Sequence, residues 1–214
     1  MLGILCGLES EASIARNILD SHIACSGARP LQARALARGL IHNGAKRLIS
    51  FGVAGGLDST LPLGSLIIGT HVASAGGTWP CIEQWVHKLS SKLPQAQCGG
   101  VWGSEILIPT AIDKRALYEK SRCLIVDMES QCSAQIAAEA NIPHIVVRAV
   151  CDSATMDVPP VLMASIAENG SIDYVRAALH VLRYPKEIPD LFRVTRGLNS
   201  ALEALNKTID PIGY

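Results

Sequence analysis

Charge is scarce in this chain: charged residues make up 18% of 214, and they cancel to a formal net charge of zero. Lys and Arg are scattered rather than clustered, which excludes nucleic-acid binding driven by phosphate neutralisation. The seven cysteines form no C-x-x-C pair and several lie in apolar runs such as L-G-I-L-C, so buried, reduced thiols are expected. The six histidines are dispersed, with no H-E-x-x-H and no Cys/His ligand spacing, and neither metal nor cofactor is expected. No apolar stretch reaches membrane-spanning length. The start, M-L-G-I-L-C-G-L-E-S-E, meets an acid too early for a signal peptide. These features lead us to expect a soluble cytoplasmic protein.

Apolar residues, at 49%, are plentiful enough for an ordinary core, and residues 1–214 are expected to form one domain. Short β-rich runs alternate with helical ones. Strands are expected at Leu2–Gly7, His22–Ser26, Arg47–Phe51, Ser65–Ser74, Val101–Ile108, Cys123–Val126 and His144–Asp152. Helices are expected at Ser10–Leu19, Pro30–His42, Ile82–Leu89, Ile112–Lys120 and Glu129–Ala140. The third strand should break at a glycine turn, G-V-A-G-G-L. Such alternation specifies an α/β/α three-layer domain around a central, mostly parallel mixed sheet. A loop over Ser153–Asn169 and helices near Ile172–Leu182 and Pro189–Leu205, packed on the domain, complete the chain. The last helix should bury Leu191, Phe192, Leu198, Leu202 and Leu205 on one face.

The segment L-I-V-D-M-E-S poses the functional question, because an apolar strand ends in Asp127 and Glu129 where a helix begins. Acids suit a helix N-terminus, so capping alone could explain them. Other expected strand ends are also unusual: G-L-E-S-E carries Glu9 and Glu11, the third strand meets its glycines, and the last ends at Cys151-Asp152. If these strands are parallel, the acids share one rim, where α/β sheets bind ligands. Carboxylates gathered without basic partners suit chemistry that creates positive charge. Cleavage of an N-glycosidic bond, with its oxocarbenium-like transition state, is such chemistry.

Taken in order, G-L-E-S-E, S-G near residue 26, F-G-V-A-G-G-L, V-D-M-E-S and V-V-R-A-V-C-D resemble the purine/uridine phosphorylase and methylthioadenosine/S-adenosylhomocysteine nucleosidase superfamily. V-D-M-E-S, D-x-P-P, E-N-G-S-I-D and R-Y-P-K-E-I-P-D-L look most like the hopanoid-biosynthesis-associated phosphorylases. The resemblance implies a nucleoside phosphorylase-like fold. It implies that Glu129 holds the ribose hydroxyls, kept ionised by its helix N-terminus, and that Met128 packs under the sugar. By the same resemblance Asp152 is the general acid for purine N7, protonated through burial, and Glu11 activates the attacking water. Asp127 would support the site; Val53, Ala54, Gly55 and Gly56 would approach the substrate; Leu107, Ile108 and Cys151 would lie near the base.

Two departures bear on the nucleophile. Val53 stands where relatives commonly carry a hydroxyl residue. Glu11 and Ser50 stand where hexameric phosphorylases place phosphate-binding arginines, with Arg29 and Arg34 as substitutes to consider. Water is favoured slightly over inorganic phosphate as co-substrate. The resemblance thus implies release of adenine from a lipid-linked adenosine, adenosylhopane, by a homodimer. Ordinary methylthioadenosine or S-adenosylhomocysteine cleavage, general purine phosphorolysis and a non-catalytic nucleoside-binding protein are the alternatives. The apolar 153–170 segment and the last helix could carry the lipid toward a membrane surface, with Arg183, Lys186, Arg193 and Arg196 assisting.

Overall fold

The computed structural model describes residues 1–159, 166, 167, 169–171, 173, 184 and 188–213. In chain order the elements are β1 (Leu2–Cys6), α1 (Glu9–Ala15), β2 (Ser21–Cys25), α2 (Pro30–His42), β3 (Arg47–Gly56), β4 (Leu66–Ser74) and β5 (Gly77–Pro80). They continue as α3 (Glu83–Lys92), β6 (Gln97–Gly103), α4 (Ala111–Ser121), β7 (Ile125–Asp127), α5 (Ser130–Glu139) and β8 (His144–Asp152). The described chain closes with α6 (Ile188–Asn206) and α7 (Ile209–Gly213). Apart from Asp173, the expected helix at Ile172–Leu182 lies outside the described residues, as do residues 160–165 and 168 of the expected loop, Arg183 and Lys186.

The strand path is β2-β1-β3-β7-β6-β4-β5, and β8 bridges β3 and β4. That bridge closes β3, β7, β6, β4 and β8 into a ring. Its composition fits β8 for the place: H-I-V-V-R-A-V-C-D is β-branched, paired on both edges and buried along almost its whole length. Parallel pairs (β1 with β2 and β3, β3 with β8, β6 with β4 and β7) coexist with antiparallel ones, β3/β7, β4/β8 and β4/β5. The sheet is mixed, as expected.

Side-chain alternation sorts the two faces of this sheet. Leu5 and Leu48 pack with Ala33, Ala37 and Leu40 of α2 and with Cys132 and Ile136 of α5. Their neighbours Ile4 and Ile49 belong to the other cluster, with Ala12 and Ala15 of α1 and Ala201 and Leu205 of α6. Helices therefore cover both faces. Gly197 brings α6 close to the end of β8, since a Cβ there would lie 2.0 Å from the carbonyl oxygen of Cys151. No helix among the described residues is long and apolar enough to cross a membrane.

Several expectations are corrected. The glycine stretch is no turn: β3 runs on to Gly56, with a bulge against β8 at Ala54/Gly55. Extending β3 is what lets Gly55 and Gly56 pair with Val126 and Ile125, and β7 runs antiparallel to β3 rather than parallel. Helix α1 stops at Ala15, and β6 ends at Gly103, leaving Ser104–Thr110 as a loop. On α6, Phe192 is 73% exposed and Val194 takes the buried position, because the helical period brings residues 191, 194 and 198 to one face. Strand β5 and helix α7 were not foreseen; both are short.

Candidate active site

A cavity of about 480 Å³ opens where β1, β3, β7 and β8 end, and four carboxylates line it: Glu11, Asp127, Glu129 and Asp152. Met128, Val53, Ala54, Gly55, Leu107, Ile108 and Cys151 line it too, whereas Gly56 is set back from it. Glu9 points away, paired with Arg16 at 2.7 Å on the exposed side of α1. No Lys, Arg or His lines the cavity among the described residues. The neighbours of the acids, behind the wall, decide what each can do.

Arg148 holds two of them directly. It sits mid-β8, fully buried, with Nε 2.7 Å from Asp127 Oδ2 and Nη2 3.0 Å from Glu129 Oε2. Nη2 also donates to Ser50 Oγ at 2.7 Å, and Nη1 to the Val53 carbonyl at 3.0 Å. Ser50 is thus part of the arginine's cradle. Ser130 Oγ donates to Asp127 Oδ2 and, with its one proton so used, can accept from Ser50 Oγ at 2.9 Å. The arginine of V-V-R-A-V-C-D has no task that the sequence alone assigns. The signal was present: a cation inside a β-branched run must be paired with buried acids.

The two acids of D-M-E-S divide the work. Asp127 Oδ1 accepts from the Ser130 N–H at 3.2 Å, so the helix-start function belongs to Asp127. Glu129 is the N-cap residue of α5 but makes no side-chain cap; its carboxylate turns instead to Arg148. Burial pushes Glu129 up to about 7, Arg148 opposes that rise, and the charges of Asp127 and Glu11 add to it. Its side chain caps no helix N–H, and the neighbour that favours its ionised form is the buried Arg148.

Glu11 is only 1% exposed although it stands in the first turn of α1. Its Oε2 accepts from the N–H groups of Gly7 (2.8 Å) and Leu8 (2.9 Å), the latter being the reach-back of an N3 acid to the N-cap. Its Oε1 accepts from the Val53 N–H of β3 at 2.8 Å. Burial raises its pKa, while Arg148 and these three N–H groups hold it down. Gly52 makes this possible: its φ is +154°, and a Cβ there would come within 2.5 Å of the Glu11 carboxylate and 2.6 Å of Arg148 Nη1.

Asp152, at the end of β8, has a partner that sequence reasoning missed entirely. Lys114 Nζ lies 3.1 Å from Asp152 Oδ1 and donates to the carbonyls of Ser153 (3.0 Å) and Met156 (2.9 Å). Lys114 is fully buried behind the acid, in the first turn of α4. Burial raises the Asp152 pKa and the Lys114 ammonium pulls it back. The expected stand-alone protonated carboxyl is thus half of an ion pair.

The remaining wall is apolar. Ile106 and Ile108 come from the loop after β6, Val158 and Ile166 from the stretch after β8, and Leu191, Val194 and Leu198 from one face of α6. Ile106 is 69% exposed as well as lining, so it marks the mouth. Arg29 and Arg34 do not line the cavity. Pairs of acids with displaced pKa values in one cavity, opposite an apolar wall, are what proton-transfer chemistry on a small organic ligand requires.

Comparison with known proteins agrees. Residues 22–171 match the sequence profile of the Phosphorylase superfamily. Among solved structures, an S-adenosylhomocysteine nucleosidase from Streptococcus pyogenes, in complex with 5-methylthiotubericidin, superposes with a TM-score of 0.74 at 18% identity, covering 99% of this chain and 95% of that one. A futalosine hydrolase from Helicobacter pylori gives 0.75 at 12% identity, over 99% and 96%. A 5′-methylthioadenosine/S-adenosylhomocysteine nucleosidase from Neisseria meningitidis, with methylthio-immucillin-A bound, gives 0.76 at 14%, over 99% and 98%. No curated protein matches the chain significantly. With a profile match over most of its length, the chain belongs to the Phosphorylase superfamily, and the superposed structures share its fold.

Proposed function

We propose that the protein cleaves the C1′–N9 bond of an adenosine compound with water, releasing adenine, and that its substrate carries a large apolar 5′ substituent. The observation that supports this best is one cavity holding Glu11, Glu129 and Asp152 beside an apolar wall from α6. As the bond breaks, its electron pair passes to the purine and positive charge builds on the sugar. Glu129 provides the anion for that charge, with Met128 packed beneath the sugar. Asp152 delivers a proton to N7, and Glu11 takes one from the attacking water. A binding protein would need neither a proton donor nor a buried base.

Water rather than phosphate is supported by the absence of a cation among the described residues that line the cavity and by the full engagement of Arg148 with Asp127 and Glu129. The deciding assay incubates the enzyme with adenosine-type nucleosides, with and without phosphate. Free sugar in both cases is expected; a sugar phosphate formed only with phosphate would overturn the choice of water.

Adenosylhopane is our specific candidate. A space of about 480 Å³ suits one small ligand, so a hopane tail must leave through the mouth beside Ile106 and α6. Phe192, 73% exposed on α6, would extend that apolar path outward. Leu191→Asp and Leu198→Asp are expected to lower kcat/KM for a lipid-linked adenosine by about tenfold or more while changing adenosine turnover little, each burying a charge against the tail. Equal loss on both substrates would sink the lipid assignment. Methylthioadenosine, whose short apolar tail the same wall would accommodate, is then the better substrate.

The raised pKa of Glu129 sets a pH dependence. The carboxylate is formed above about 7 and lost below it, so kcat/KM should fall as pH drops through that value. Glu129→Gln should abolish this acid limb and lower kcat more than it raises KM, because the sugar charge exists mainly in the transition state. A change confined to KM would make Glu129 a ground-state binder only.

A further inference from the structure

Lys114 has no place in the chemistry set out above, yet its position is costly. A cation in the first turn of α4 opposes the helix dipole, and full burial strips it of water. Its surroundings compensate in a particular way. Three acceptors face Nζ, namely Asp152 Oδ1 and the carbonyls of Ser153 and Met156, and an ammonium has three N–H groups to give. With the proton on Asp152 instead, the carboxyl would donate back to Nζ and the two carbonyls would keep their N–H donors, so in either arrangement the pair holds one transferable proton. The ordinary order of proton affinity, amine above carboxylate, makes ammonium and carboxylate the resting form.

We infer that Lys114 is the positioning residue that stores the proton for the departing purine and passes it through Asp152. The inference rests on the proposed cleavage of an N-glycosidic bond. As C1′–N9 breaks and its electron pair enters the base, N7 takes a proton through the Asp152 carboxyl, and Lys114 Nζ gives up one N–H proton to that carboxyl. Water oxygen bonds to C1′ and its proton goes to Glu11. After product release, Glu11 returns a proton to solvent and the pair takes one back, so protons balance over the cycle.

The other titratable groups around the pair are few. The Cys151 thiol stands beside Asp152, pushed well up by burial and by that carboxylate, so it stays protonated. Asp157 Oδ1 is occupied by the Ala111 N–H at the start of α4, and Glu11 and Glu129 are tied to the Arg148 cluster. The loop is also anchored by the Val158 N–H on the Pro109 carbonyl, at 2.7 Å, so Lys114 does not stand alone in holding it.

The test combines turnover with a measurement that does not need it. Lys114→Met is compared with the wild type in the pH profile of adenine release, and the Asp152 carboxyl is titrated by infrared spectroscopy, its band assigned with Asp152→Asn. In the wild type the carboxyl should be ionised through the neutral range. In Lys114→Met a protonated carboxyl should appear there, kcat should fall by about tenfold or more, and its alkaline limb should move to lower pH, because a carboxyl surrenders its proton earlier than an ammonium does. Lys114→Arg keeps the charge but cannot give up a proton, so it should not restore turnover. A wild-type Asp152 already protonated at neutral pH, a rescue by arginine, or a less stable Lys114→Met enzyme with an unmoved pH profile would each overturn the storage role. If the wild type releases no adenine from any nucleoside, the cleavage assignment fails, and the infrared titration still judges the pair.

Discussion

Asp152→Asn is expected to slow adenine release by about two to four orders of magnitude, the usual size of a lost general acid. The amide keeps the shape of the carboxyl and can still accept from Lys114 Nζ, so fold and cavity should survive. What it cannot do is take a proton from the lysine and hand it to N7. Binding of free adenine should weaken far less than turnover, because a base can still be held by an amide. If purified Asp152→Asn enzyme turned over at near the wild-type rate, neither Asp152 nor the pair behind it could be the acid.

How far this arrangement could be read from sequence depends on which contacts are local. Strand β8 and helix α2 were expected with the bounds they have, because a β-branched run and a proline at a first helical turn are local signals. The acids at the ends of β1, β7 and β8 were likewise visible as interruptions of apolar runs. The glycine stretch was misjudged because Gly, Ala and Val adjoining each other suggest a turn, while pairing with β7 and β8 holds them extended. That pairing depends on residues 69 to 97 positions away, from Gly56 with Ile125 to Gly55 with Asp152. Lys114 illustrates the limit most clearly: A-I-D-K-R-A-L-Y-E-K-S looks like a solvated helix, and nothing within it distinguishes Lys114 from Arg115, which is paired with Glu119 on the surface. Only the loop from Ser153 to Met156, folding back over α4, makes one of these cations internal.

The two unassigned cations also revise the electrostatic picture. The sequence suggested carboxylates gathered without basic partners, and the cavity surface looks that way. Behind it stand Arg148 and Lys114, both buried, each tied to the acids it serves. This placement lets the cavity show negative charge to a developing cation while the folded protein bears little unpaired charge. The acids are fixed before the substrate arrives, which is the preorganisation that electrostatic catalysis needs.

The same tethering predicts the largest stability effect. Arg148→Met should destabilise the fold by about 3–5 kcal/mol, since it leaves the Asp127 and Glu129 carboxylates buried without their partner. Measured by urea unfolding, the loss should shrink at low pH, where protonation relieves the stranded acids. The triple variant Arg148→Met/Asp127→Asn/Glu129→Gln should recover much of it, because it removes the charges along with their partner. Arg148→Lys should fall between, as one ammonium cannot span Asp127, Glu129, Ser50 and the Val53 carbonyl together. A loss below about 1 kcal/mol for Arg148→Met, unchanged between pH 5 and pH 8 or so, would mean that water or proton uptake neutralises the acids without the arginine. Arg148 could then no longer be what holds Glu129 ionised for the sugar.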